Sequence, residues 1–349
     1  MRIGAALPHL LLFGGVRRYL ELGNIFTSRG CEFTIFTPDG APPAWMKYDG
    51  GLSTLAELHS YRPDVMITGT PEYARYLDES AAAVKIFYLQ IEDAAGEREI
   101  VRSGRYRIMV NSSGLASRVK KLYGIEPLDG RGGINPDLFH PPGRGPIPAP
   151  VPACSGERPF RVICYGRISR PRKGTRMAAE AARSLAGGKR GIELHLFDSY
   201  TTGAVDPRIG FDPGFPCRFY LNLPQEGMAA MYGAADLFVS AERRAGWSNT
   251  AAEAAACGLP LVCTKSGTGD FAIDGRNAIV IPRRNGSLLR KAVKRIYDEP
   301  GLGETMGRES AEIMKAFTWE KVCDRMERDF RKLLDGCGPA PGPGSPRGE

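Results

Sequence analysis

Several absences narrow what this 349-residue chain can be. No apolar run reaches the roughly 18 residues of a membrane-spanning helix. The eight cysteines (31, 154, 164, 217, 257, 263, 323 and 337) contain no Cys-x-x-Cys pair. Several stand in apolar strand or helix contexts, so they read as small core residues in a reducing compartment. The turn after the first strand has no Gly-x-Gly-x-x-Gly, which argues against an NAD-dependent oxidoreductase. No Asp-x-Asp motif, helix-turn-helix, zinc-finger or RNP signature is present, so neither an acidic metal clasp nor a nucleic-acid reader is indicated. There is no repeat beyond an alternation of strands and helices.

What remains is a globular protein. Hydrophobic residues make up 42% of the chain and charged residues 25%, and the length suffices for two α/β domains, each with its own core. The formal net charge of +8 fits an anionic substrate, an anionic lipid surface or simply a solvated basic face. The opening MRIGAALPHLLLFGG has the early Arg and apolar run of a signal peptide. However, Gly14-Gly15 lead into a helical pattern rather than a cleavage site, so a first β-strand and a cytoplasmic protein are expected.

In chain order the rhythm is strand, turn, helix. RIGAAL is a strand, Gly14-Gly15 a turn, and VRRYLELGNIFTSRG a helix with apolar positions at Val16, Tyr19, Leu20, Gly23 and Phe26; CEFTIFTP is the next strand. Such a βαβ unit implies a doubly wound parallel sheet. The Gly pair is either turn chemistry or a close approach of backbone to ligand. Leu52–Ser60, Glu72–Ala83 and 114–124 read as helices; 62–69, 84–89 and 106–112 read as strands. The Pro- and Gly-dense stretch 141–159 reads as a linker. A second alternating unit starts at FRVICYG and runs through strands 192–198 and 235–240, helix 225–233 and helix 287–297. A last helical segment spans 307–334, with Thr318 as a cap, and the tail from 336 is expected to be disordered.

Two constellations can carry chemistry. Arg167 and Lys173 share the loop after the first strand of the second unit, where open α/β sheets bind ligands. A planar Arg fork and a compact Lys charge suit a diphosphate, although the loop also reads as a solvated basic turn. The second constellation is Ala241–Thr264, a loop, a helix and a buried strand. Its helix start leaves backbone N–H groups free for a phosphate. Thr250 and Glu253 have the spacing of a capping box, so Glu253 is either a cap worth about 1 kcal/mol or a carboxylate for ribose hydroxyls.

The stretches GGINPDLFHP, YGRISRPRKG, AGWSNTAAEAAACGLPLV and GTGDFAIDGRNAIVIP, with the N-terminal GGVRRYLELGNIFTSRG, occur in an order that resembles the retaining family 4 glycosyltransferases. The resemblance covers nearly all of the chain to about residue 335, and some of its wording is similar to rhamnosyltransferase-like members. It implies the GT-B architecture: two Rossmann-like, doubly wound α/β domains facing across a cleft. The implied layout is an acceptor-side domain over 1–140, a linker over 141–159, a nucleotide-sugar domain over 160–306, helices over 307–335 that return to the first domain, and a tail.

By the same resemblance Arg167 and Lys173 hold the donor diphosphate and Glu253 the donor ribose. Gly246, Trp247, Ser248, Asn249 and Thr250 surround the donor sugar and phosphates, and Gly14 and Gly15 form the first domain's glycine-rich loop. The implied activity is metal-independent transfer from a nucleoside-diphosphate sugar, without a cofactor, to a saccharide or lipid-linked hydroxyl. Contact with anionic membrane at its inner face, through Arg17, Arg18, Lys120 and Lys121, is a further expectation; nucleic acid is not a partner.

Two departures stand out. Ala245 occupies the position of the family's first glutamate, with Glu242 three residues earlier, and Gln90 stands in a loop that contains none of His9, His59, His140 or His195. The first departure keeps open a catalytically impaired nucleotide-sugar-binding protein; a nucleotide-sugar epimerase of the same fold is the other alternative.

Overall fold

The structure, a computed structural model, describes residues 1–142, 158–199, 206 and 208–336. Most of the expected linker, the expected disordered tail beyond 336, and Cys154 and Cys337 lie outside the described residues. The chain divides into two compact units. The first comprises Met1–Asn111, Ala116–Gly130 and the chain from Glu320; the second comprises Ser112–Leu115 and Arg131–Trp319.

The first unit is built on strands β1 (Arg2–Ala6), β2 (Glu32–Thr37), β3 (Gly51–Thr54), β4 (Val65–Thr68), β5 (Val84–Leu89), β6 (Arg107–Val110) and β7 (Leu128–Asp129). They form one sheet in the order β3-β2-β1-β4-β5-β6-β7, with every pairing parallel. The order reverses between β1 and β4, which makes the sheet doubly wound. Helices α1 (Gly14–Ser28), α2 (Ala74–Glu79), α3 (Glu97–Arg102) and α4 (Ser113–Tyr123) connect the strands. The expected apolar stripe of α1 is buried at all five positions.

Arg18 is buried too, at 2% exposure. Its guanidinium donates to the Tyr88 hydroxyl and to Gly130 O, each at 3.0 Å. It is an interior strut between helix and sheet, which removes it from any contact with lipid. Leu52–Ser60 is not one helix. Leu52–Thr54 is drawn into parallel register with Ile35–Thr37, and only Leu55–Ser60 coils, as a 3-10 turn. The helix expected over Glu72–Ala83 stops at Glu79, because Ser80 turns extended and its hydroxyl accepts from the Ala82 N–H. Conversely, α3 forms in a stretch too polar to suggest a helix. Its Glu97 is buried and held by Arg118 and the Tyr123 hydroxyl.

The second unit carries β8 (Phe160–Tyr165), β9 (Ile192–Asp198), β10 (Cys217–Leu221), β11 (Leu237–Ser240), β12 (Leu261–Cys263) and β13 (Ala278–Val280). The order is β10-β9-β8-β11-β12-β13, again wholly parallel. Helices α5 (Thr175–Arg183), α6 (Gln225–Gly233), α7 (Asn249–Ala256), α8 (Gly286–Asp298) and α9 (Pro300–Met314) follow. Strand side chains alternate between two cores, as the pleat requires. Val162, Cys164, Leu194 and Leu196 join α5 and α8 on one face. Ile163, Phe197 and Phe238 join Tyr232 and the alanines of α7 on the other.

Two stretches group differently from the expected layout. Residues 131–140, expected to end the first domain, belong to the second unit: Gly133 and Ile134 donate to Phe317 O, and Phe139 packs against Tyr232. Helix α9 also stays with the second unit, since Gly307 lets it close on Gly258, whose carbonyl would stand 2.2 Å from any Cβ there. The last helix, α10 (Trp319–Gly336), joins the first unit through Phe330 stacked on Phe26 and Arg29 paired with Asp324 at 2.8 Å. No helix among the described residues is long and apolar enough to cross a membrane.

Candidate functional site

In the second unit the strand order reverses between β8 and β11, so the crevice at their carboxyl ends is where a doubly wound sheet takes its ligand. The β8–α5 loop enters that crevice and is folded tightly. The Gly166 N–H donates to Phe197 O at 2.8 Å, and the Thr175 hydroxyl returns to Tyr165 O at 2.8 Å. Gly174 takes a left-handed φ of 75°. A Cβ there would stand 2.4 Å from Ala241 O, so only glycine lets the start of α5 close against the end of β11.

Arg167 and Lys173, proposed from sequence as a pair, flank the ring of Tyr165. The Arg167 guanidinium carbon lies 5.5 Å and Lys173 Nζ 5.2 Å from the ring centroid. Each cation also rests on a buried carboxylate. Arg167 Nε lies 2.9 Å from both oxygens of Asp198 and its Nη2 lies 2.6 Å from Oδ1, with Ser199 O and Oγ completing its set. Lys173 Nζ lies 3.0 Å from each oxygen of Glu242. Burial acts to lower the Arg167 pKa, but the Asp198 carboxylate outweighs it and holds the guanidinium firmly charged. Burial, then the Asp198 charge, pushes the Tyr165 phenol upward, so it stays neutral. Two cations, each held on a buried carboxylate, and an aromatic face thus converge at one strand end.

Asp198 and Glu242 were not singled out as partners of these cations. A signal for Asp198 was present, since it ends the apolar run IELHLFD as its only anionic group besides Glu193. Glu242 depends on the loop path after β11. Arg244 takes a left-handed φ of 60°, uncommon for a bulky residue and costly enough to suggest an over-determined loop. The turn leaves Glu242 buried against Lys173. It also carries Ala245 to Ser266 and Gly267: Ala245 N donates to Ser266 Oγ at 2.9 Å, and a Cβ on Gly267 would come within 2.9 Å of the Ala245 Cβ.

The start of α7 lies in the same unit. Its N-cap is Ser248, whose N–H donates to Gly267 O at 2.8 Å and whose hydroxyl is buried without a partner among the described residues. Asn249 and Thr250 open the helix at half-exposed positions. Thr250 therefore lies inside the helix, and the expected Thr250–Glu253 capping box does not form: the chain enters the helix two residues earlier. Glu253 is instead buried, at 4% exposure, and accepts from the Tyr232 hydroxyl at 3.1 Å. Gly246 is buried. Trp247 packs 4.9 Å from Phe271 and 5.4 Å from Phe317, an anchor that pins the loop to the core.

Gly14 and Gly15 open α1 in the first unit. A Cβ on Gly15 would meet Gln90 Oε1 at 2.7 Å, so the glycine lets the Gln90 carboxamide lie over the helix start. Of the four histidines, His195 is a buried sheet residue, 3.0 Å from Glu193, and His140 hydrogen bonds its neighbour's carbonyl, Pro141 O.

The chain is similar to known proteins in sequence and in fold. Residues 159–299, most of the second unit, match the sequence model of the family described as Glycosyl transferases group 1. The D-inositol 3-phosphate glycosyltransferase of Paenarthrobacter aurescens is 27% identical over 255 residues, covering 69% of this chain and 60% of that protein. The Mycobacterium bovis protein of the same name is 28% identical over 255 residues, covering 68% and 51%. The chain thus spans between half and three fifths of the length of these relatives. Among solved structures, sucrose-phosphate synthase from Thermosynechococcus elongatus superposes with a TM-score of 0.74 at 17% identity, covering 96% of this chain and 99% of that one. Anabaena Alr3699/HepE, solved in complex with UDP-glucose, gives 0.72 at 14% identity, covering 95% and 100%. At such identities the superpositions establish the fold, two Rossmann-like parallel-sheet domains of the GT-B kind.

Proposed function

We propose, from the premise that this chain is a group 1 glycosyltransferase of the family 4 type, that it transfers a sugar from a nucleoside-diphosphate donor to a hydroxyl with retention of anomeric configuration. The observation that carries the proposal is the Arg167–Tyr165–Lys173 cluster at the switch point of the second sheet. The chemical difficulty in such a transfer is charge developing on the departing diphosphate. Arg167 and Lys173 would meet that charge directly, and the positive end of α7 would favour phosphate oxygens near it. Ser248 Oγ, buried and unpartnered among the described residues, supports a phosphate oxygen at that end.

Glu253 is proposed to accept the donor ribose hydroxyls, with Tyr232 orienting its carboxylate. The two cations do the work a divalent metal does elsewhere, so neither metal nor cofactor is part of the reading. A donor phosphate oxygen takes the acceptor proton as the new glycosidic bond forms on the face the diphosphate leaves. The acceptor is proposed to be a saccharide or a lipid-linked sugar bound by the first unit, near Gly14, Gly15 and Gln90.

One observation favours a second reading, a nucleotide-sugar-binding protein without turnover. Ala245 offers no carboxylate, and its backbone is tied to Ser266. The two readings separate in one experiment. Nucleotide sugars are titrated against the protein by calorimetry, and donor consumption is then followed with a panel of saccharide acceptors. Binding with transfer supports the enzyme. Binding without consumption on any acceptor, reversed by Ala245→Glu, supports the second reading. Absence of binding by every nucleotide sugar refutes both.

A further inference from the structure

Residues 3–16 carry no Asp, Glu, Lys or Arg, the run that gives the N-terminus its likeness to a signal peptide. Strand β1 places residues 3–6 in the sheet interior, but the run continues as the loop between β1 and α1. There Leu10 turns inward, while Leu11 is 46% and Phe13 40% exposed. Ile91, in the loop after β5, is 41% exposed. The two loops meet where a Cβ on Gly15 would stand 2.7 Å from Gln90 Oε1. The other large apolar side chains exposed among the described residues, Leu122, Ile209 and Ile273, lie elsewhere, one on α4 and two in the second unit.

This apolar corner is held in place by its own contacts. The Leu11 N–H donates to His9 Nδ1 at 3.4 Å, the Phe13 ring lies 5.2 Å from the His9 ring, and the Trp45 indole N–H donates to Leu10 O at 2.8 Å. Leucine and phenylalanine kept in water forgo the gain of burial, so a cluster of them marks a contact surface. The charged residues beside it are matched within the protein: Lys47 with Asp49 at 2.8 Å, Asp93 with Arg118 at 2.6 Å and Arg17 with Glu21 at 3.4 Å. The surface therefore asks for an apolar partner rather than for counter-charge. It lies at the carboxyl end of β1, where the first sheet reverses its order and a doubly wound sheet takes its ligand.

We propose that Leu11, Phe13 and Ile91 enter the apolar edge of a lipid surface, so that the acceptor brought to the first unit is lipid-linked. The inference rests on the reading that the first unit takes the acceptor, and narrows that reading from a saccharide or lipid-linked sugar to the latter. A protein docked on this corner would cover the mouth of the crevice. A lipid surface instead keeps the acceptor's hydrocarbon chain to itself and presents the sugar at that mouth. Trp45, half-buried beside the loop, has the apolar body and polar N–H that suit such a boundary.

The test uses the full chain and vesicles of phosphatidylcholine, which carry no net charge, in flotation assays at low and high salt. Wild type is expected to float with the vesicles in both, because apolar insertion is not screened by salt. Leu11→Gln/Phe13→Gln should partition at least about tenfold more weakly, the scale of withdrawing one buried leucine-sized side chain. Lys120→Gln/Lys121→Gln should partition as wild type does. Brominated phosphatidylcholine should quench Trp45, since Trp247 and Trp319 are buried. The nucleoside-diphosphate affinity of the Leu11/Phe13 variant should be unchanged, so a failure of the donor reading appears as absent nucleotide binding and leaves the vesicle result standing. With a total lipid extract as acceptor, sugar from a labelled donor is expected in the organic-solvent phase.

The proposal is overturned if wild type stays off neutral vesicles, if it binds only vesicles containing anionic lipid, or if the Leu11/Phe13 double variant binds as wild type does. Flotation without tryptophan quenching places the contact elsewhere and overturns it as well. So does a wild-type dimer in sedimentation that the double variant turns into a monomer, because the corner is then a protein interface. Label found only in water-soluble products overturns the lipid-linked acceptor. Should the double variant melt early, Leu11→Trp decides instead: an added interfacial side chain should tighten vesicle binding, and unchanged binding overturns the proposal.

Discussion

Gly174→Ala is the substitution whose consequences follow most directly from the geometry. Gly174 is left-handed, with φ of 75°, and an added Cβ would stand 2.4 Å from Ala241 O and 2.7 Å from the Ala241 Cβ. Adopting a left-handed conformation costs an alanine about 1–2 kcal/mol. Forcing backbone apart in a packed region adds about 1–3 kcal/mol. Gly187 supplies the control in the same unit, because its φ is 86° and nothing lies within 4 Å of a Cβ built there. Gly187→Ala therefore carries the conformational cost alone. The difference between the two variants, about 1–3 kcal/mol, corresponds to several degrees in melting temperature at roughly 2–4 °C per kcal/mol.

The same clash has a functional consequence. Ala241 precedes Glu242, so pushing it away from the start of α5 separates Glu242 from Lys173, now 3.0 Å apart. Gly174→Ala should weaken nucleotide-sugar affinity, and Gly187→Ala should not. Calorimetric titration and thermal melting of both variants measure the two effects. Equal melting temperatures and equal affinities would refute the claim that the close approach at Gly174 assembles the site.

Other outcomes follow from the charges. Asp198→Asn removes the charge from under Arg167 while preserving shape. It should cost stability of about 1–3 kcal/mol, as expected when a buried charge loses its partner in part, and raise donor KM more than it lowers kcat; an unchanged KM contradicts a positioning role. Glu253→Gln should raise donor KM, and if only the melting temperature falls, its role is confined to packing with Tyr232. Burial holds the His195 imidazole below its ordinary pKa despite the neighbouring Glu193 carboxylate. The unfolded chain therefore takes up the proton first as pH falls, and stability is lost from about pH 6.5 downward through the folded pKa. His195→Gln should flatten that loss in melting-temperature profiles between pH 7 and 5; identical slopes would falsify the assignment.

The alternation of strands and helices was legible because doubly wound sheets bury continuous apolar strands between amphipathic helices. RIGAA, VKIFYL and IELHLFD announce themselves. The edge strands β3 and β7 did not, since GLST and LD are too short and polar to differ from loop without their partners. Helix α3 was hidden in polar sequence because its stability comes from Glu97 reaching Arg118 and Tyr123, residues remote in the chain. In the candidate site, Arg167 and Lys173 were legible as loop cations after a strand. Of their carboxylates, Asp198 is marked only as the anionic end of the apolar run IELHLFD, and Glu242 is unmarked because its placement depends on the loop path through the left-handed Arg244. Glu253 illustrates a further limit. Thr-x-x-Glu spacing fits a capping box, but the box requires the helix to begin at the threonine, and Ser248 with its bond to Gly267 starts it earlier.

The central claim is that the Arg167–Tyr165–Lys173 cluster receives the diphosphate of a nucleotide sugar. Its most direct test is calorimetric titration of the uridine, guanosine, adenosine and thymidine diphosphates into wild type, Arg167→Ala and Lys173→Ala, each shown by circular dichroism to be folded. Wild type is expected to bind one of the four, and both variants to bind it at least about tenfold more weakly, as follows from removing a charge-assisted contact to phosphate. Equal affinity in all three proteins would contradict it.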